Sequence, residues 1–212
     1  MIHPHTELKY MTPEIGYGVF ARRPIPRGTI TWVLDPLDRI LTPGEIGALP
    51  PAVAPLLERY SWIDGKGNRI LCWDFSRLMN HSCEANTFCP GGQSFEIAVR
   101  DISAGEELTC DYATMNLERP FVCACGSSAC RGTVTHADFN DLAPDWDGLI
   151  RRALPDVVRV DQPLWSWLAS PHALSAAAAA PEMAPSIIMN RFDGLSRSLQ
   201  PRREKKEVGY IT

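Results

Sequence analysis

Between Lys9 and Tyr112 the apolar positions fall in short runs, rich in β-branched and aromatic residues, and each run ends in turn chemistry. That pattern predicts strands. The runs lie at Gly18 to Ala21, Thr29 to Leu34, Asn68 to Trp73, Phe95 to Arg100 and Leu108 to Cys110. Between them stand PRG (26–28), DGKGN (64–68), PGGQ (90–93) and SAGE (103–106), of which at least two read as hairpin turns. One interruption is helical. Thr42, Pro43 and Glu45 supply an N-cap, a first helical residue and a capping-box acid. Pro50, Pro51 and Pro55 keep the insert short.

After Cys130 the pattern becomes helix-compatible, with THADF (135–139), DWDGLIRRAL (145–154) and PLWSWLASPHALSAAAAA (163–180). The five alanines at 176–180 read as the tail of a helix, alanine having the best intrinsic helix propensity. The last stretch, RSLQPRREKKEVGYIT, reads as a solvated basic tail, and the chain has no internal repeat.

Composition changes this picture little. A chain of 212 residues, 45% apolar and 22% charged, is of ordinary globular type and predicts one main domain with an appendage. A net charge of −4 offers no global basic field for nucleic acid and suits a basic partner. MIHPHTELKY is no leader, and no apolar run reaches the roughly 18 residues of a membrane span. A soluble, cytoplasmic protein without a membrane partner is expected. Seven cysteines, odd in number and clustered, fit a reducing compartment and metal binding better than a disulfide framework. Three of them, Cys123, Cys125 and Cys130, sit in CACGSSACRG. A closed structural zinc site needs four ligands, and Cys72, Cys83, Cys89 and Cys110 are the available partners.

Other stretches carry chemistry. In GYGVFA (16–21), Gly16 and Gly18 permit backbone forms closed to other residues and let a ligand approach the main chain. In RLMNHSCEAN (77–86), Asn80 offers a donor and an acceptor beside His81. GEELTCDY (105–112) ends in Tyr112. Taken in order with the cysteine cluster, these stretches resemble one family, the SET-domain protein lysine methyltransferases. The resemblance covers roughly residues 8 to 132.

It implies a mainly β fold of several small sheets with a knot-like threading at the active site. The implied layout is a SET domain at 8–113 with a helical insert at about 42–59, a post-SET zinc segment at 117–133, and a helical extension with a basic tail at 134–212. S-adenosylmethionine would contact Gly16, Tyr17, Gly18, Arg77, Asn80, His81 and Tyr112. Tyr112 matches the family's catalytic tyrosine. Tyr60 matches a second aromatic on the cofactor and lysine channel, with Trp62 as its rival. Cys110 stands where members carry a phenylalanine or tyrosine that limits methyl number, which predicts di- or trimethylation. Cys83 would complete one structural zinc site with Cys123, Cys125 and Cys130. That closure would fold 117–132 over the active site, so that Phe121 or Val122 walls the lysine channel.

The chemistry suits such a channel. A free lysine amine, pKa about 10.4, is charged at neutral pH, and an apolar channel beside a sulfonium lowers that value. The expected activity is therefore transfer of a methyl group to a lysine side chain of a protein, a histone tail being one candidate. The alternative is a noncatalytic, zinc-stabilised module on the same scaffold. The compact chain suits a bacterial member. Residues 133–212 have three roles open to them: packing on the body, covering the substrate groove, or building a homodimer. Trp146, Trp165 and Trp167 read as packing aromatics.

Overall fold

The computed structural model describes residues 1–194. The basic tail lies outside them. Among the described residues twelve short strands make three small sheets and one two-stranded ribbon. The first sheet has the order β1 (Thr6–Tyr10), β2 (Tyr17–Ala21), β10 (Glu107–Cys110), β7 (Asn80–His81). Its β1–β2 and β2–β10 pairs are antiparallel, whereas β7 runs parallel to β10, with Asn80 opposite Thr109 and His81 opposite Cys110. A parallel pair cannot be joined by a tight turn. Two of the stretches singled out in the sequence are therefore laid side by side by chain that travels elsewhere between them.

The second sheet, β3 (Ile30–Val33), β9 (Phe95–Ala98) and β8 (Thr87–Phe88), shows how strand alternation divides the molecule. Phe95 and Ile97 of β9 join Phe88, Val33 and Ile30 in the largest core cluster, while Ala98 belongs to a second cluster with Val19, Leu108 and Cys110. The third sheet is β4 (Arg39–Leu41), β6 (Arg69–Leu71) and β5 (Trp62–Ile63), and the ribbon pairs β11 (Phe121–Val122) with β12 (Thr133–Val134).

The insert forms as its caps dictate. Helix α1 (Pro43–Gly47) has a complete capping box between Thr42 and Glu45, and α2 (Ala54–Tyr60) follows. Seven strands escape the sequence reading: β1, β4, β5, β7, β8, β11 and β12. In β1, Leu8, Lys9 and Tyr10 are exposed, because it is an edge strand paired only with β2. The other six span only two or three residues each.

The C-terminal region corrects two expectations. THADF and DWDGLIRRAL form one helix, α3 (Asp138–Ala153), which continues through Pro144. Proline there removes a helical hydrogen bond. The offset is burial on both sides of it: Phe139, Ala143, Trp146, Ile150 and Ala153 recur at helical spacing and all enter the main cluster with Phe88 and Phe95. Residues 163–180 are not one helix. Trp165–Trp167 is a single 3₁₀ turn, Ser170 is non-helical ahead of Pro171, and α4 runs Pro171–Ala179. Of the three tryptophans, Trp146 is buried, Trp165 packs on the core, and Trp167 is exposed.

These helices are not an appendage. Gly28, with φ +87°, lies so close to the chain at 156–157 that a Cβ would stand 2.8 Å from the Val157 nitrogen. Gln162 donates from Nε2 to the Gly28 and Val157 carbonyls, both at 2.9 Å, and accepts the Ile30 N–H at 2.9 Å. Among the described residues no helix is long and apolar enough to cross a membrane. Phe139 is fully buried beside Trp146, their rings edge-on at 6.0 Å. Phe139→Ala is expected to cost about 3–5 kcal/mol in urea denaturation, with near-native β-sheet signal retained at zero denaturant.

Candidate functional site

At the β7–β10 junction three groups of predicted residues meet. Asn80 donates from Nδ2 to the Tyr17 carbonyl at 3.1 Å and to Glu107 Oε1 at 2.7 Å. Gly18 packs closely beside it: a Cβ there would stand 2.3 Å from Glu107 Oε1 and 3.1 Å from Asn80 Nδ2, so these side chains would have to shift to admit one. Gly16, at φ +83°, has open space where a side chain would be, and Tyr17 is half-exposed with its ring edge-on to Tyr10. Asn80 Oδ1 accepts no hydrogen bond among the described residues. This face thus offers backbone, an aromatic ring and a free amide oxygen to a polar ligand.

On the other side, Tyr60, Arg77, Cys110 and Tyr112 line one cavity of about 180 Å³, together with Trp62. Both aromatic candidates at 60–62 are therefore present. Tyr112 donates its hydroxyl to the Met79 carbonyl at 2.8 Å, and burial pushes its pKa well above the ordinary phenol value. It is a neutral group at the cavity wall. Arg77 is held by the carbonyls of Cys72 and Trp73 at 3.2 and 3.1 Å. Cys110 is buried, and burial pushes its thiol up, so it is a small neutral residue at the cavity wall. Phe121 packs on the catalytic candidate, 5.9 Å from the Tyr112 ring and 5.3 Å from His81, while Val122 is 85% exposed.

His81 joins this cavity to the cysteines. Its Nδ1 accepts the Tyr112 N–H at 3.1 Å, and burial lowers its pKa, so the ring is neutral with its proton on Nε2. That atom lies 3.3 Å from Cys83 Sγ and is a donor to it. His81, Cys83, Cys123 and Cys125 place ligand atoms within 4.8 Å of one another. Cys83 and Cys123 sulfurs are 3.9 Å apart, close to the roughly 3.8 Å that two 2.3 Å zinc bonds at the tetrahedral angle require. Cys130 adjoins this group, its sulfur 3.5 Å from the Cys123 carbonyl and in contact with the Cys123 and Cys125 thiols. Burial raises the Cys125 thiol, but amide donors from Cys83 and Ser127 and the neighbouring thiols outweigh it, bringing its pKa down to about 7. All seven cysteines are free.

Two features were not singled out from the sequence. Arg131, next to Cys130, makes a bidentate pair with the fully buried Asp111, both bonds 2.7 Å, and its backbone N–H reaches Cys83 Sγ at 3.4 Å. The residue before Tyr112 is thereby tied to the cysteine segment. The signal available was the CRG tripeptide, which says nothing of a partner 20 residues upstream. The second is Glu96 on β9, a carboxylate lining the cavity.

Residues 16–113 match the family model described as the SET domain. Over those residues the chain is similar to a SET domain, and its fold there is mainly β, built of small sheets. Relatives include histone-lysine N-methyltransferase ATX2 of Arabidopsis thaliana, 29% identical over 146 residues, covering 59% of this chain and 13% of that protein. Histone-lysine N-methyltransferase ash1 of Drosophila melanogaster is 29% identical over 143 residues, 59% of this chain and 6% of its own length. TRX1 of Oryza sativa subsp. japonica, also named a histone-lysine N-methyltransferase, is 30% identical over 143 residues, 58% and 13%. The chain thus spans at most 13% of the length of these relatives.

Arg131→Met strands the Asp111 charge in the core and is expected to cost about 3–5 kcal/mol in chemical denaturation. Adding Asp111→Asn should recover at least half of that loss.

Proposed function

We propose that this protein is an S-adenosylmethionine-dependent methyltransferase acting on lysine side chains of a protein substrate. The observation that carries the reading is the placement of Tyr112. Its hydroxyl is fixed by Met79 at the wall of a cavity, beside the strand pair that presents Asn80 and Gly18. The relatives named as histone-lysine methyltransferases support a basic protein tail as substrate.

Bound S-adenosylmethionine supplies an activated methyl group. Gly16, Tyr17, Gly18, Asn80, His81 and Arg77 would hold it. The open backbone at Gly16 and the unused Asn80 oxygen fit such a ligand. Tyr112 orients the amine, keeping its own proton because burial disfavours the phenolate. Alignment and oxygen dipoles, with water held out by Trp62 and Tyr60, are what such a transfer requires. Cys110 leaves space in the wall for an amine already bearing methyl groups.

The cysteine segment at 117–133 is the proposed post-SET clasp, holding one structural zinc through Cys83, Cys123, Cys125 and Cys130. Cys130 is preferred to His81 as the fourth ligand, because the His81 Nε2 bears a proton when Nδ1 accepts from Tyr112. Such a zinc supplies rigidity, and the clasp carries Phe121 onto the Tyr112 ring.

Purified protein is expected to transfer label from S-adenosylmethionine to histones or to a cell-protein mixture, and Tyr112→Phe to lose at least about 100-fold of that rate with an unchanged melting temperature. A noncatalytic module would transfer none. Mass spectrometry should find di- or trimethyllysine among the products. Zinc analysis should return one equivalent, lost in Cys83→Ser, and chelation should lower both activity and melting temperature.

A further inference from the structure

Glu96 is out of place in its strand. Its neighbours Phe95 and Ile97 face the main core, while Glu96 stands on the opposite face, cross-strand from Trp32. Both Glu96 and Trp32 line the cavity that holds Tyr112 and Cys110. One carboxylate oxygen, Oε2, accepts from Thr87 Oγ1 at 2.8 Å. Among the described residues Glu96 has no other hydrogen bond and no ion pair. Burying an ionised carboxylate without a cation is costly, and proteins normally provide a partner.

No cation of the protein pairs with Glu96: Arg69 pairs with Glu118, Arg119 with Glu58 at 3.7 Å, Arg77 bonds backbone carbonyls, Arg59 lies over the Tyr60 ring at 5.5 Å, and Lys66, which borders an adjoining cavity, makes no ion pair among the described residues. The remaining titratable groups near Glu96 are Cys110 on β10, Cys89 just past β8, and Tyr112. Burial first, and then the Glu96 charge, pushes both thiols up, Cys89 to about 12. Tyr112 is likewise held in its neutral form. Glu58 and Glu118 of the same cavity are paired with arginines, so Glu96 is its carboxylate without a cation partner, and what it lacks is a cation from outside.

We infer that Glu96 is the proton acceptor for the substrate lysine, receiving the ammonium in the cavity and leaving a neutral amine beside Tyr112. The inference rests on the methyltransferase reading above. In the step, one N–H bond of the ammonium breaks, its electron pair stays on nitrogen, and the proton forms an O–H bond on Glu96. The proton then passes to solvent through the cavity before the next amine enters. Burial, opposed only by the Thr87 hydrogen bond, raises the Glu96 pKa to about 7, which matches the carboxyl to a proton that must be both taken and released.

The test compares wild type, Glu96→Gln and Glu96→Leu by label transfer to the protein mixture between pH 6 and 9.5, and by melting. Wild-type rate should rise through about pH 7. Glu96→Gln should lose on the order of 100-fold at pH 7, with the deficit narrowing at least tenfold by pH 9.5, where the amine deprotonates without help. Because the folded-state pKa is raised, the carboxylate penalises the fold as pH rises through 7. Glu96→Leu should therefore melt above wild type at pH 8, and the gain should shrink toward pH 5. Wild type that labels while Glu96→Gln keeps its rate within about twofold at every pH overturns this inference and leaves the methyltransferase reading intact. A Glu96→Leu protein that melts below wild type at pH 8 overturns it too, by making Glu96 a structural residue. Wild type that labels nothing overturns the reading, and this inference with it.

Discussion

The pair between Arg131 and Asp111 holds the site in one piece. Asp111 is fully buried, and without the guanidinium its charge would have only an amide and a neutral imidazole nearby. With it, the residue before Tyr112 and the residue after Cys130 become one unit. Their positions constrain everything between, including Phe121 on the tyrosine ring and the three sulfurs near His81. His81 closes the same loop from the other side, accepting the Tyr112 N–H through one nitrogen and facing Cys83 through the other. Geometry at the tyrosine is thus set by two bridges to the cysteines, one ionic and one through an imidazole. Breaking either bridge moves the tyrosine's backbone and not merely a distant loop.

The electrostatics of the cavity follow from burial more than from charge pairing. Desolvation keeps the Tyr112 hydroxyl and the Cys110 thiol protonated and His81 neutral. Of the arginines lining it, Arg69 and Arg119 are engaged by glutamates, Arg77 by carbonyls, and Arg59 lies over the Tyr60 ring. An entering cation therefore meets dipoles and one carboxylate that has no arginine partner.

Much of this was readable from the chain, because its signals are local. The Thr42–Glu45 capping box, the turn glycines and the alternating apolar runs act within a few residues of themselves, and the corresponding elements form where expected. The SET-domain motifs were legible for a related reason, since each is a short stretch whose side chains act together. What escaped depends on partners far along the chain. Arg131 finds Asp111, Glu96 finds a cavity built from three sheets, and α3 survives Pro144 because Phe139 and Trp146 find Phe88 and Phe95. The break at Ser170 is different, a local proline rule overridden in the reading by the apolar text around it.

The sharing of one core by the earliest and latest strands and helices also dictates when the protein can fold. Sheet β3–β9–β8 presents Phe88, Phe95 and Ile97 to α3, which is made some forty residues later, and Gly28 waits for residues 156 and 157. Contacts of such sequence separation close slowly, since the intervening loop entropy must be lost first. Until α3 leaves the ribosome, the SET-domain strands hold an open apolar face. A chain cut before Asp138 would leave that face permanently bare.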